Sequence, residues 1–454
     1  MTQEPLTPSS DLLDASVPAG EMLQARKVAL RLLQQLFIKK HNLDQVFEES
    51  RDYAELNQRD RAFVKMMVTT TIRRLGQIDD LIRRALSRPD QPLSPPILEY
   101  IMRLGVAQLI FMHVPDHAAV NTSVQLVESE GHTRMKGFVN AILRRVAAEG
   151  KNWTTRQDVA RLGTPEWLLK IWIADFGLKH AIDISLANLN EPPLDLTLKH
   201  PEQAAHWAEL LQAQILPTGT LRLTNAKMVQ DLPGFEDGMW WVQDASAAIP
   251  ARLFGNIEGQ VVVDLCAAPG GKTSQLAAQG AQVVSVDRSA LRVTRLQENM
   301  RRLRLDRAVR TEIADAAVWK PREQVPFVLL DAPCSATGTI RRNPDVPWLK
   351  SPSDMTSLVD LQARLLDNAI SMLAPDGILI YCTCSLQKDE GERQIERILF
   401  EHRNLERVPV RAAELGGIGD IVAPNGDVRV FPSHLGALGG MDGFFVSRLR
   451  KRSG

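Results

Sequence analysis

Beyond Gly259 the chain repeats one pattern: a short continuous apolar run, an acidic or small polar residue, then a stretch with helical spacing. Val261–Leu265 is the first run and carries Asp264. Residues 281–286 lead to Asp287, 325–330 lead to Asp331, and 377–381 lead to Cys382-Thr383-Cys384. Runs this short and apolar on both faces read as strands buried between helical layers, which predicts an α/β fold around a parallel sheet. In such sheets ligands bind beyond the carboxyl ends of the strands. Asp264, Cys266, Asp287, Asp331, Cys334 and Cys384 fall at or just after those ends.

The first third has a different period. Apolar residues recur three and four apart in Met22-Ala25-Ala29-Leu32-Leu33-Leu36, in Ala62-Met66-Val68-Ile72-Leu75 and in Ile97-Ile101-Leu104-Ala107-Leu109. That spacing predicts an all-helical domain over 21–150, with Pro89, Pro92, Pro95 and Pro96 separating two of its helices. Residues 151–247 read as mixed α+β. Pro165-Glu166-Trp167 opens a helix, Pro192-Pro193 ends one, and Leu194-Leu196-Leu198 alternates as a strand. Leu232-Pro233-Gly234-Phe235 turns the chain into 240–244. Residues 1–20 are polar, acidic and rich in Pro and Ser, which predicts a disordered leader on a cytoplasmic protein. No apolar run nears the roughly 18 residues that span a bilayer.

With 454 residues there is room for two or three cores, and 54 basic residues balance 54 acidic ones. A zero total excludes any argument for nucleic-acid binding from net charge, leaving local clusters. Arg73-Arg74, Arg83-Arg84 and Arg301-Arg302-Arg304 read first as solvated helix faces. Arg341-Arg342 differs in sitting in a loop beside the acids and thiols. Four cysteines, all in the second half, exclude a secreted disulfide framework, and their spacing lacks a zinc knuckle. They remain either core thiols or chemical thiols.

Ala267-Ala268-Pro269-Gly270-Gly271-Lys272-Thr273 follows the first strand and opens a helix. Small residues there admit a ligand to the backbone, and the helix start offers unpaired N–H groups. Asp287, ending the next strand, can take both hydroxyls of a ribose. Together these predict a nucleoside-containing cofactor, and NAD would satisfy them as well as any other. Two thiols at neighbouring strand ends suggest one further chemistry. A thiolate added to C6 of cytosine makes C5 nucleophilic toward an electrophilic methyl, and a second group must then remove the C5 proton.

Asp264-Leu265-Cys266-Ala267-Ala268-Pro269-Gly270-Gly271-Lys272-Thr273, Asp331-Ala332-Pro333-Cys334-Ser335 and Thr383-Cys384-Ser385 resemble, in order, the signatures of the RNA cytosine-5 methyltransferases of the Nop2/Sun group. Leu232-Pro233-Gly234-Phe235, Val242-Gln243-Asp244-Ala245-Ser246 and Met441-Asp442-Gly443-Phe444-Phe445 match further. The resemblance implies a Rossmann-like S-adenosylmethionine-dependent methyltransferase domain over 248–450. It implies Cys384 as nucleophile, Cys334 as the residue promoting release and Asp331 as the acid at the base. It implies cofactor contacts from Asp264, Cys266, Ala267, Ala268, Pro269, Gly270, Gly271, Lys272, Asp287, Arg292, Asp315 and Asp331.

Leu104-Gly105, Gln108-Leu109, Pro115, His117-Ala118-Ala119-Val120-Asn121 and Lys136-Gly137-Phe138-Val139-Asn140 with Leu143-Arg144 resemble the helical NusB-type RNA-binding domain. The combination implies a monomer acting on 16S ribosomal RNA, free or early in assembly. Lys136, Arg144, Arg341 and Arg342 are the expected RNA contacts. Thr197, Lys199, Cys382, Asn343 and Gly391 depart from the group's usual residues, and Cys382 reads as packing. A transfer RNA substrate, a non-catalytic RNA-binding protein, and a DNA enzyme that attacks through Cys334 are the competing readings.

Overall fold

The computed structural model describes residues 19–224 and 228–453. The leader expected over 1–20 lies outside the described residues as far as residue 18, and a helix begins at Ala19. The chain divides into two compact units. One comprises the chain up to Lys170, with Ala181–Leu189 and Asn343–Leu349. The other comprises Ile171–His180, Asn190–Arg342 and the chain from Lys350 onward. Residues 151–247, expected as one subdomain, are shared between these units. No helix among the described residues is long and apolar enough to cross a membrane.

In the first unit the helical period becomes a core. Ala19–Lys39, Gln58–Arg73, Leu75–Ala85, Ile97–Val106, Asp116–Ser129 and Lys136–Thr154 are its longer helices. Asn42, Ser50 and Asn57 cap helix starts by accepting from the amides of Gln45, Tyr53 and Asp60. The prolines of 89–96 occupy the gap between Ala85 and Ile97. Val28, Leu32, Leu33, Leu36, Met67, Ile72, Ile78 and Ile101 are fully buried together. That clustering follows from their spacing on helix faces.

The second unit holds two sheets. The smaller is antiparallel, in the order β2-β3-β1-β4, from β1 (Leu194–Leu198), β2 (Gln214–Ile215), β3 (Leu221–Leu223) and β4 (Trp240–Val242). The larger contains β5 (Val261–Leu265), β6 (Gln282–Asp287), β7 (Val309–Ile313), β8 (Val325–Asp331), β9 (Leu373–Thr383), β10 (Leu405–Arg407), β11 (Val428–Val430) and β12 (Phe444–Lys451). Its order is β10-β12-β9-β8-β5-β6-β7, with β11 also paired to β12. Strands β5 to β9 are mutually parallel, whereas β12 runs antiparallel to β9. Strand order reverses between β8 and β5. That is the switch point where a crevice opens at the carboxyl ends.

Candidate active site

Five strand ends converge on that crevice. After β5 the chain enters a left-handed turn at Cys266 (φ 61°) and another at Gly270 (φ 102°) before the helix Gly271–Ala278. Gly270 is required there twice over: its φ is positive, and a Cβ would lie 2.9 Å from Leu296 Cγ. At Gly271 an added Cβ would meet nothing nearer than Gln243 at 3.6 Å, so the helix start is open on that side. The first amides of this helix have no carbonyl one turn behind them and are the donors available to an anionic group.

Asp287 ends β6 and is almost wholly buried. Its Oδ2 accepts from the amide of Ala268 at 3.2 Å and its Oδ1 from that of Ser289 at 3.0 Å. Arg292 reaches Asp287 Oδ2 at 3.4 Å and also donates to the carbonyl of Ala268. Asn299 holds the carbonyl of Pro269. The small-residue loop is therefore anchored from β6 and from the helix Ala290–Arg302. Asp315 is exposed, with its carboxylate turned back onto the amide of Ala317.

Asp264 departs from its expected role. It is fully buried beneath the loop, where Thr273 Oγ1 donates to its Oδ2 at 2.6 Å and its Oδ1 has no partner. Burial raises its ionisation to about 7, with nearby Asp331 and Asp287 adding to the effect and Thr273 and Lys272 opposing it. It holds the helix start in place and presents no face to a ligand. Cys266 is likewise held as a thiol, by burial first and then by Asp331, Asp287 and Asp264.

Asp331 ends β8. Lys272 Nζ donates to its Oδ2 at 2.7 Å, and Cys382, its register partner on β9, donates to its Oδ1 at 3.5 Å. Burial alone would lower the Lys272 ammonium, but Asp331 and the neighbouring cysteines raise it. Lys272 also lies 5.0 Å above the Phe444 ring. Asp331 thus accepts from Lys272 and Cys382, with the Lys272 ammonium beside it. Cys382, expected as packing alone, is fully buried and also serves Asp331.

Cys334 and Cys384 come from the loops after β8 and β9, and their sulfurs are 3.4 Å apart. The Cys334 thiol is pushed well above its ordinary range, first by its hydrogen bond to Cys384, then by burial and by the charges of Cys384 and Glu390. The two loops touch directly: the amide of Gly338 donates to the carbonyl of Cys384 at 2.9 Å, and the amide of Gly443 to that of Gly338 at 2.7 Å. A Cβ at Gly338 would sit 2.0 Å from the oxygen of Gly443.

The expected RNA contact at Arg341 is overturned. Arg341 is 2% exposed, its Nε donating to Asp442 at 2.6 Å and its Nη2 to Asp244 at 2.8 Å. Arg342 binds the same two carboxylates and is about a quarter exposed. Burial would raise Asp244, but Arg342 and Arg341 hold it far below the usual carboxylate range. Four charges therefore tie the 242–246 segment, the loop after Cys334 and the start of β12 into one buried network. Sequence reasoning found these three segments as motifs but missed that they pair with each other. In the helical unit, Lys136 pairs with Glu128 at 2.8 Å. Arg144 binds Asn140 and lines a groove with Asp116, His117 and Asn121, so two of the quoted motif segments face one cleft.

Residues 252–450 match the family described as 16S rRNA methyltransferase RsmB/F, and residues 23–148 match the NusB family. The ribosomal RNA small subunit methyltransferase B of Cronobacter sakazakii is 33% identical over 95% of this chain and 99% of its own length. That of Vibrio cholerae is 31% identical over 95% of this chain and 99% of its own. A crystal structure of the protein PH0851 superposes with a TM-score of 0.73 at 23% identity, over 96% of this chain and 99% of that one. The last likeness concerns the fold alone. The full-length relatives settle the family: this chain belongs to the small-subunit ribosomal RNA methyltransferases of the RsmB/F type, with a NusB-family domain at its front.

Proposed function

We propose that this enzyme methylates C5 of a cytosine in 16S ribosomal RNA, with S-adenosylmethionine as donor, Cys384 as nucleophile and Cys334 as the residue that enables release. The observation that carries this is the 3.4 Å approach of two thiols at adjacent strand ends. S-adenosylmethionine, when bound, supplies the methyl electrophile. The loop 266–272, Asp287, Arg292 and Asp315 would hold it, and the open side of Gly271 with its unpaired amides fits a carboxylate-bearing nucleoside. Asp331 and Lys272 face the base.

The residues divide the work by proton position. Cys334 is held as a thiol by its hydrogen bond to Cys384 and by burial, and Cys384, once its own proton has passed to solvent, attacks as the thiolate. Cys384 forms an S–C6 bond, the C5=C6 electrons move to C5, and C5 would take the methyl as the donor's sulfonium–methyl bond breaks, with S-adenosylhomocysteine as the neutral leaving group. Once Cys384 is a thioether it carries no charge. The largest influence keeping the Cys334 proton in place is then gone, and Cys334 can ionise and remove the C5 proton. The electrons of that C–H bond restore C5=C6 and expel the Cys384 thiolate. The substrate is taken as free or early-assembly RNA, met by a monomer.

The test is an incubation of labelled 16S RNA and S-adenosylmethionine with Cys384→Ala or Cys334→Ala, run on denaturing gels, with the parent's product mapped by bisulfite sequencing. Cys384→Ala is expected to give neither methylation nor adduct, and Cys334→Ala to accumulate a covalent protein–RNA species. An adduct from Cys384→Ala and none from Cys334→Ala would reverse the roles.

A further inference from the structure

The two cysteine loops share a partner that neither motif contains. Glu390, in a short turn after β9, is fully buried. Its Oε1 accepts from the amide of Ser335 at 2.8 Å and from Gln362 Nε2 at 2.9 Å. Its Oε2 accepts from the hydroxyls of Ser335 and Ser385, each at 2.5 Å. Ser335 follows Cys334 and Ser385 follows Cys384, so one carboxylate grips the residue next to each reacting thiol. All four partners donate, which is the set an ionised carboxylate takes and a neutral amide cannot.

The grip is reinforced from outside. Gln362 also holds the carbonyl of Pro333 at 2.8 Å, Tyr381 Oη donates to the carbonyl of Glu390 at 2.6 Å, and Arg429 donates to the carbonyl of Ser385 at 2.6 Å. Burying a carboxylate costs free energy even when it is hydrogen-bonded, and an apolar residue of similar size would fill this space more cheaply. Stability is therefore a poor reason for its presence here. Position is a better one, because the reaction needs both sulfurs on one pyrimidine ring, one at C6 and one near the C5 proton.

We propose that Glu390 is a positioning residue for the methyl transfer, clamping the Pro-Cys and Thr-Cys-Ser loops through Ser335 and Ser385 so that Cys334 and Cys384 reach the same cytosine. This rests on the cysteine mechanism above. Glu390 touches neither substrate nor cofactor. Its charge also lies among the causes that keep Cys334 protonated, so it links the geometry of the pair to its titration.

Glu390→Gln keeps the size and puts an N–H₂ where only acceptors fit. The expected result is a kcat lowered by about 100-fold, the scale of an ångström-level misplacement, with S-adenosylhomocysteine binding and the KM for RNA unchanged. The alkaline limb of the pH–rate profile is expected to move to lower pH, because Cys334 loses a neighbouring negative charge. Glu390→Asp keeps the charge and shortens the reach; it should lose kcat and leave that limb in place. Structural damage alone would reduce cofactor binding and thermal stability together and shift no limb. Should Glu390→Gln not fold, Ser335→Ala and Ser385→Ala each remove one strand of the clamp and should lower kcat with cofactor binding intact. A Glu390→Gln enzyme, or both serine variants, with the parent's kcat would overturn the clamp while leaving the cysteine mechanism standing. A parent that forms no 5-methylcytosine would overturn both.

Discussion

The two units bury polar groups in opposite ways. In the helical unit the interior is almost entirely Leu, Ile, Val, Met and Ala. Its buried charged exceptions are Arg26, which binds Gln108 Oε1 at 3.0 Å and lies over Phe63, and Asp345, whose Oδ2 accepts from the amide of Leu43 at 3.0 Å. The catalytic unit instead carries whole ionic clusters inside: Asp195 with Arg222, Asp244 and Asp442 with Arg341 and Arg342, and Glu390 among its four donors, with Lys272 and the partly exposed Asp331 at the edge. Apolar packing depends on volume and tolerates small errors. A buried charge depends on a particular partner and tolerates none. The catalytic unit concentrates these costly interactions on the loops that must be fixed.

The largest expected effect tests that contrast at its extreme. Arg222 and Asp195 are both fully buried, joined by two hydrogen bonds of 2.7 Å, and Arg222 also binds the carbonyls of Leu438 and Gly440. Arg222→Met leaves the Asp195 carboxylate inside with only the amide of Ala245, and should destabilise the protein by about 3–5 kcal/mol in urea unfolding. Adding Asp195→Leu should recover much of that loss. If the double variant is no better than the single one, the cost lies in the lost carbonyl contacts and the contrast between units weakens.

Next comes Gly338→Ala. A methyl group there would overlap the carbonyl oxygen of Gly443 and lie 2.8 Å from that of Cys384, and both are backbone atoms. The loop bearing Cys334 has to shift, so kcat should fall by about 100-fold while S-adenosylhomocysteine still binds. Parent-like turnover would mean that the cysteine loops are more compliant than their contacts indicate.

Ile78→Val samples the other unit. Ile78 is fully buried in the helical core, and losing one methylene there should cost about 0.5–1.5 kcal/mol. Catalysis per folded molecule should not change. A loss near that of Arg222→Met would show that the helical core is as specific as the ionic clusters.

The same contrast explains what the sequence disclosed. Period alone located the helices of the first unit and the strands β5, β6, β8 and β9, because apolar spacing is a local property. It did not locate β7, whose Val309–Ile313 is only partly buried, or the short strands β2, β3, β10 and β11. The cysteines were legible because they sit in contiguous motifs. Their controls were not: Asp195 meets Arg222 27 positions away, Asp244 meets Arg341 97 away, and Ser335 meets Glu390 55 away. Arg341-Arg342 was read as an RNA-facing pair because adjacent arginines in a loop carry no sign of the carboxylates waiting elsewhere in the chain. The acidic turn around Glu390 was the available signal for the clamp, and nothing local distinguishes it from a solvated run.

The smallest effect appears only as a slope. Asp264 is a buried carboxyl without a cation bonded to it, the reverse of Asp195 and Asp244, and its ionisation is raised to about 7 in the folded protein. An unfolded aspartate ionises near 3.9. Between those values the folded state holds a proton that the unfolded state has released. Stability from this group is therefore fully present below the unfolded value and falls as pH rises toward 7, levelling off above it. Asp264→Asn removes the titration and keeps an amide oxygen to accept from Thr273. The variant should gain on the parent by about 1 kcal/mol between pH 6 and pH 8, read from urea midpoints with no RNA present. Parallel curves from pH 6 to pH 8, with the variant's gain confined below pH 6, would mean that Asp264 is already ionised at pH 6. Lys272 and Thr273 would then be compensating a buried charge, and Asp264 would join the ionic clusters of its unit rather than stand apart from them.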